Sequence, residues 1–95
     1  MLTAKIVFLS LLTDITQVDE VSLNLDDGSI IRTVLEQLSS RFGDKFEEMI
    51  YKNSKDLSKY VLITINGEDI RSLNGLETKI QQNDEISFIP AIAGG

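Results

Sequence analysis

Along the chain, apolar and polar positions alternate, change period and alternate again, in an order that predicts strand, strand, helix, strand, turn region, strand. Residues 5–12 are rich in β-formers, with Ile6 and Phe8 on one side and Val7, Leu9 and Leu11 on the other. Two apolar faces predict a central strand, or one with a face kept for a partner. Residues 13–20 form a polar connection. Val21, Leu23 and Leu25 then alternate with Ser22 and Asn24, the pattern of a half-buried strand.

Asp26-Asp27-Gly28-Ser29 stops that strand and offers oxygens to cap a helix. In that helix Ile31, Val34, Leu35, Leu38 and Phe42 form one continuous stripe. Gly43 suits its C-terminal end, since glycine takes a positive φ without a Cβ clash. Residues 44–50 add a short second helix with Phe46, Met49 and Ile50 inward, and residues 51–59 read as a polar, lysine-rich loop. Residues 60–65 are a strong β run. Asn66-Gly67 is a two-residue hairpin signal, because a type I′ turn needs a positive φ twice. Residues 68–70 make a short return strand, and Leu73, Leu76 and Ile80 pin irregular chain. Gln82-Asn83-Asp84 turns into a last strand over 85–89, with Ile86 and Phe88 on one face.

The chain has 95 residues, enough for one modest core and one domain. Nine Lys and Arg against 15 Asp and Glu give −6, a balance that repels phosphate backbones and excludes nucleic acid as a partner. It favours basic protein surfaces, chiefly through association rate. With no Cys and no His, thiolate nucleophiles, disulfides, Ser-His-Asp triads and ordinary zinc sites are all excluded. No metal site is expected, and Asp26-Asp27 reads as turn and cap. The apolar run 6–12 behind Lys5 is too short to span a bilayer and no small-residue cleavage site follows it. A cytoplasmic protein without membrane contact is the expectation, and the absence of Cys fits a reducing compartment.

The unusual feature is the end: Pro90-Ala91-Ile92-Ala93-Gly94-Gly95. Pro90 has no N–H, so the sheet ladder should stop there, leaving residues 90–95 as a flexible tail. Two bare glycines can enter a slot too narrow for any side chain. Their one reactive group is the α-carboxylate of Gly95. Attack of that carboxylate on the α-phosphate of ATP gives an acyl-adenylate, which a sulfur or nitrogen nucleophile can displace. None of this needs catalytic side chains on the chain itself.

Several segments together resemble the MoaD family, the small sulfur-carrying subunits of molybdopterin synthase. They are Val61-Leu62-Ile63-Thr64-Ile65-Asn66-Gly67-Glu68-Asp69-Ile70, then Leu73 and Leu76, then Asn83-Asp84-Glu85-Ile86-Ser87-Phe88-Ile89-Pro90, then Ala93-Gly94-Gly95. Lys5-Ile6-Val7-Phe8-Leu9 and the helix start at Gly28-Ser29, with Val34 and Leu38 beyond, match as well. That family is similar in turn to the thiamin sulfur carriers (ThiS) and to archaeal ubiquitin-like modifiers. Asn83 stands where the family often has Gly, and Ala91 where it often has a second Pro.

The resemblance implies an α+β, ubiquitin-like β-grasp fold. Its mixed sheet packs on one main helix, with first and last strands parallel neighbours and the first two strands antiparallel. It implies a non-enzymatic protein co-substrate whose Gly95 carboxylate, with Gly94 beside it, is adenylated and converted to a thiocarboxylate for molybdenum cofactor synthesis. The implied partners are an E1-like adenylating enzyme, which uses ATP and a sulfur donor, and a large MoaE-like synthase subunit. No cofactor would be bound by the chain itself. Leu9, Ile89, Pro90, Ala91, Ile92 and Ala93 are the candidate partner contacts. With Ile6, Phe8, Ile86 and Phe88 inward, strand alternation puts Leu9 and Ile89 in one exposed apolar patch beside the tail root. The alternative is a ubiquitin-like modifier joined through Gly95 to target lysines.

Overall fold

The computed structural model describes residues 1–10, 12–52, 57–58 and 61–90. A five-stranded sheet runs in the order β2-β1-β5-β3-β4. It is built from β1 (Leu2–Phe8), β2 (Glu20–Leu25), β3 (Val61–Ile65), β4 (Glu68–Asp69) and β5 (Glu85–Pro90). β1 pairs antiparallel with β2 and parallel with β5, while β3 pairs antiparallel with both β4 and β5. The first and last strands are therefore parallel neighbours, as expected, and the sheet is mixed. β1 lies inside the sheet, which explains its two apolar faces.

One face of the sheet is covered by α2 (Ile31–Phe42) and α3 (Asp44–Ile50). Ile31, Val34, Leu35 and Leu38 of α2 are fully buried against Ala4, Ile6, Phe8, Ile63, Ile86 and Phe88 in one core cluster. Removing each such side chain from water stabilises the fold by about 1.5–3 kcal/mol. Gly43 ends α2 at φ 83°, and its N–H donates to Ser39 O at 2.8 Å. Phe46 and Ile50 of α3 point inward, with Met49 partly buried.

The four phenylalanines of the chain meet at one end of this core. Phe8 lies 5.6 Å from Phe42, 6.2 Å from Phe46 and 5.8 Å from Phe88, centroid to centroid. The two contacts from Phe8 to the helices are edge-to-face, a geometry worth about 0.5–1.5 kcal/mol per pair beyond area burial. Phe8 and Phe88 sit opposite one another across the β1–β5 pair. The cluster therefore lies directly beneath the end of the sheet at which β5 stops.

Three expectations are corrected. The first strand ends at Phe8, not at residue 12. Ser10 adopts φ 56°, and the chain turns into a short helix, α1 (Leu12–Thr16), which drives Leu12 completely into the core. Leu11 lies outside the described residues. Second, residues 26–29 supply no side-chain cap to α2. Ser29 Oγ donates back to Asp26 O at 2.7 Å, and the helix entry is satisfied otherwise, Ile31 N–H donating to Thr78 O at 3.0 Å and Ile30 N–H to Thr33 Oγ1 at 3.3 Å. Third, Leu73 pins nothing, being 39% exposed, whereas Ile80 is buried and Leu76 packs against the core's edge.

The turns follow the residues that demand them. Asn66 and Gly67 have φ 52° and 86°, the paired positive values of the hairpin turn. Asn83 takes φ 67°, so asparagine fills the left-handed position without a glycine. The two turns are tied together. Asn66 Nδ2 donates to Asp84 Oδ1 at 2.8 Å, and Glu85 N–H donates to Asn66 Oδ1 at 2.9 Å. Asp84 is buried, and its other oxygen accepts from Gln81 N–H at 2.7 Å.

Candidate functional site

β5 ends at Pro90. Pro90 sits opposite Val61 of β3, and Ile89 sits opposite Leu62. Across the other side of β5, Phe88 is level with Phe8, and Leu9 N–H donates to Phe88 O at 3.1 Å. Leu9 thus continues the register to lie level with Ile89. Ile86 and Phe88 point into the core, so Ser87 and Ile89 point to the opposite face of the sheet. On that outer face Leu9 is 41% exposed and Ile89 half-buried.

The apolar surface extends beyond these two residues. Leu62, half-buried, lies directly beside Ile89, and its inward neighbours Val61 and Ile63 are buried. Beyond Leu9, Phe8 N–H donates to Asp19 O at 2.8 Å, which sets exposed Val18 at the same end of the sheet. Leu9, Ile89 and Leu62 form an apolar row across neighbouring segments, with exposed Val18 at the same end of the sheet. The alternation that identified Ile89 also identifies Leu62, since Leu62 stands between two inward residues.

Polarity rises with distance from the tail root. The next row holds Glu20, Val7, Ser87 and Thr64, and the row after it Ser22, Lys5 and Glu85. Lys5 Nζ lies 3.2 Å from Glu20 and 3.9 Å from Glu85, bridging three strands. These ion pairs are exposed and contribute about 0–1 kcal/mol. Their effect is to place a charged border around the apolar end. On the far side, exposed Arg71 grips Asp69 through Nη2 at 2.7 Å and Nε at 3.0 Å. The hydrogen bonds from Arg71 hold the Asp69 carboxyl below its ordinary range.

Of the sequence-predicted residues, Leu9, Ile89 and Pro90 are brought to one corner of the sheet. Ala91, Ile92, Ala93, Gly94 and Gly95 lie outside the described residues, as do Lys55 and Lys59 of the lysine-rich loop. Among the described residues no three carboxylates converge in a way that could hold a metal ion. No helix among them is long and apolar enough to cross a membrane.

What the arrangement can do is hold Pro90 in a set place at the rim of the sheet. β5 is held on both sides, its inward Ile86 and Phe88 are fully buried, Phe88 in the aromatic cluster, and its last residue stands beside an apolar row at the sheet's rim. A partner covering that row would find the tail root in a fixed position.

The ThiS family model matches residues 6–95. A protein from Archaeoglobus fulgidus described as a candidate sulfur carrier is 33% identical over 78 residues, covering 82% of this chain and 89% of that one. The sulfur carrier protein CysO of Mycobacterium tuberculosis is 32% identical over 69 residues, covering 72% and 74%. The solution structure of the small archaeal modifier protein 1 from Methanosarcina acetivorans superposes with a TM-score of 0.85 at 28% identity, covering 100% of this chain and 98% of that chain. The fold is thus the ubiquitin-like β-grasp, and the chain belongs to the ThiS family of sulfur carrier proteins.

Proposed function

We propose that this chain carries sulfur as a thiocarboxylate on Gly95 and delivers it to molybdopterin synthesis. The observation that carries the reading is the placement of the tail root. Pro90 closes a strand fixed on both edges, beside an apolar row that a partner enzyme can cover. In the first step an oxygen of the Gly95 carboxylate attacks the α-phosphate of ATP on an E1-like enzyme, and pyrophosphate leaves. In the second, a sulfide-level nucleophile attacks the acyl carbon and AMP leaves, so one oxygen is replaced by sulfur. A large MoaE-like subunit then takes that sulfur. ATP and the sulfur donor belong to the activating enzyme, and the chain contributes no catalytic side chain and binds no cofactor of its own. The family assignment supports the carrier role, and the similarity of residues 61–70, 83–90 and 93–95 to the MoaD pattern supports molybdopterin as the destination.

The test is genetic and chemical. Deleting Gly95 in the natural host should abolish molybdopterin while leaving the protein's abundance unchanged. Normal molybdopterin in that strain would rule out this destination. A second reading, a modifier attached through Gly95 to lysines, is favoured by the likeness to the archaeal modifier protein. It predicts high-mass conjugates on immunoblots that vanish with the same deletion.

A further inference from the structure

The two edges of the sheet are unequal. On one side β4 is only two residues long, so little of that edge can template a foreign strand. On the other side β2 runs six residues with a regular in–out burial pattern and without a proline or a lysine. Its backbone orientation follows from the ladder. Phe8 N–H donates to Asp19 O, and bonded pairs alternate in an antiparallel ladder, so Ile6–Val21, Ala4–Leu23 and Leu2–Leu25 are the hydrogen-bonded pairs. The odd residues of β1 turn the other way, as Lys5 N–H donating to Asp84 O confirms. The N–H and C=O groups of Glu20, Ser22 and Asn24 therefore point away from the sheet. All three residues are exposed, and among the described residues no segment pairs with this edge.

The edge is complementary to itself. We propose that β2 pairs antiparallel with β2 of a second copy of this chain, about a two-fold axis at Ser22. This register faces Ser22 with Ser22 of the partner subunit, and Glu20 with Asn24 of the partner subunit. Each facing pair exchanges two backbone hydrogen bonds. An acid then meets an amide that can donate to it, and the two Glu20 carboxylates are kept apart. Like charges directly opposite would oppose pairing, and this register has none. On the inner face Val21 meets Leu23 of the partner subunit. These two side chains retain 8% and 7% exposure, which the pairing would remove. Six backbone hydrogen bonds and two facing apolar pairs make a narrow contact, well short of the surface a stable complex buries, and each copy carries −6. The dimer is therefore weak and concentration-dependent. It leaves Leu9, Ile89 and Leu62 outside the paired edge, so each copy keeps the end of β5 available.

The experiment uses the full chain in a concentration series into the millimolar range, read by sedimentation and by amide hydrogen exchange. The weight-average mass should rise toward twice the monomer value. The Glu20, Ser22 and Asn24 amides should gain protection as concentration rises. Asn24→Lys places a cation opposite Glu20 twice per dimer and should tighten association about 2- to 30-fold; Asn24→Glu should weaken it by a similar factor. Ser22→Pro removes an outward N–H that makes no bond within the chain and should abolish the dimer while the fold persists. A chain that stays monomeric throughout, edge amides whose exchange is independent of concentration, or two Asn24 variants that shift association the same way would overturn the proposal.

Discussion

Asn66 does two things at once: its backbone makes the hairpin, and its carboxamide ties the hairpin to the start of β5. Replacing it separates the two. Asn66→Ala should cost about 1–3 kcal/mol, because it removes one of the donors that satisfy the buried Asp84 carboxylate. Asn66→Gly keeps the positive φ at ease and should lose only the side-chain bonds, so urea unfolding of the pair divides the total between strain and hydrogen bonding. The turn itself was readable, since Asn-Gly needs no information beyond two residues. Its partners were not, because Asp84 and Glu85 lie 18 and 19 positions away. Tyr51 gives a second residue-level prediction. Burial raises its phenol above the ordinary 10.0, so its ionisation, followed by ultraviolet absorbance against a Tyr51→Phe control, should fall above that value.

At the scale of elements, the aromatic cluster and the apolar row are two sides of one strand end and should respond differently to substitution. Phe88→Ala should destabilise by about 3–5 kcal/mol, as deletion of a fully buried ring does. Leu9→Glu should change stability by only about ±0.5 kcal/mol, its side chain being 41% exposed, while slowing activation by a partner enzyme that covers the row. A large loss of stability in Leu9→Glu would mean that Leu9 belongs to the core. Regular elements were legible because their period repeats: Val21, Leu23 and Leu25 for β2, and the stripe from Ile31 to Leu38 for α2. The failure at Leu12 has the same origin. A helix of five residues is too short to display its period, so an apolar run continuing past Phe8 looks like more strand. Ser29 failed for another reason, since a backbone carbonyl, Thr78 O, took the place expected for a capping side chain.

For the whole molecule, charge and titration set where the fold holds. The chain has no His, so no side chain of ordinary pKa changes charge between about pH 6 and 9. Asp69 has a lowered pKa, so its share of stability is present above its ordinary value and lost as pH falls through the lowered one. Tyr51 has a raised pKa, so its share is present below 10.0 and lost as pH rises through the raised one. Unfolding free energy from urea titrations should therefore be flat across neutrality, and a step near pH 6–7 would contradict that expectation. The sheet order was legible only through the family resemblance. Element order from alternation alone fits other α+β arrangements, because the β1–β5 pairing joins residues at opposite ends of the chain.

The central claim is that the end of this chain is an acid awaiting sulfur. The most direct measurement is the intact mass, with fragmentation of the C-terminal peptide, of the protein isolated from its natural host grown with ample sulfur. The account predicts a fraction heavier by the difference between a sulfur and an oxygen atom, with the gain confined to the residue ending in Gly95. A chain that carries only an ordinary carboxylate there, under those conditions and in an actively growing host, would contradict it.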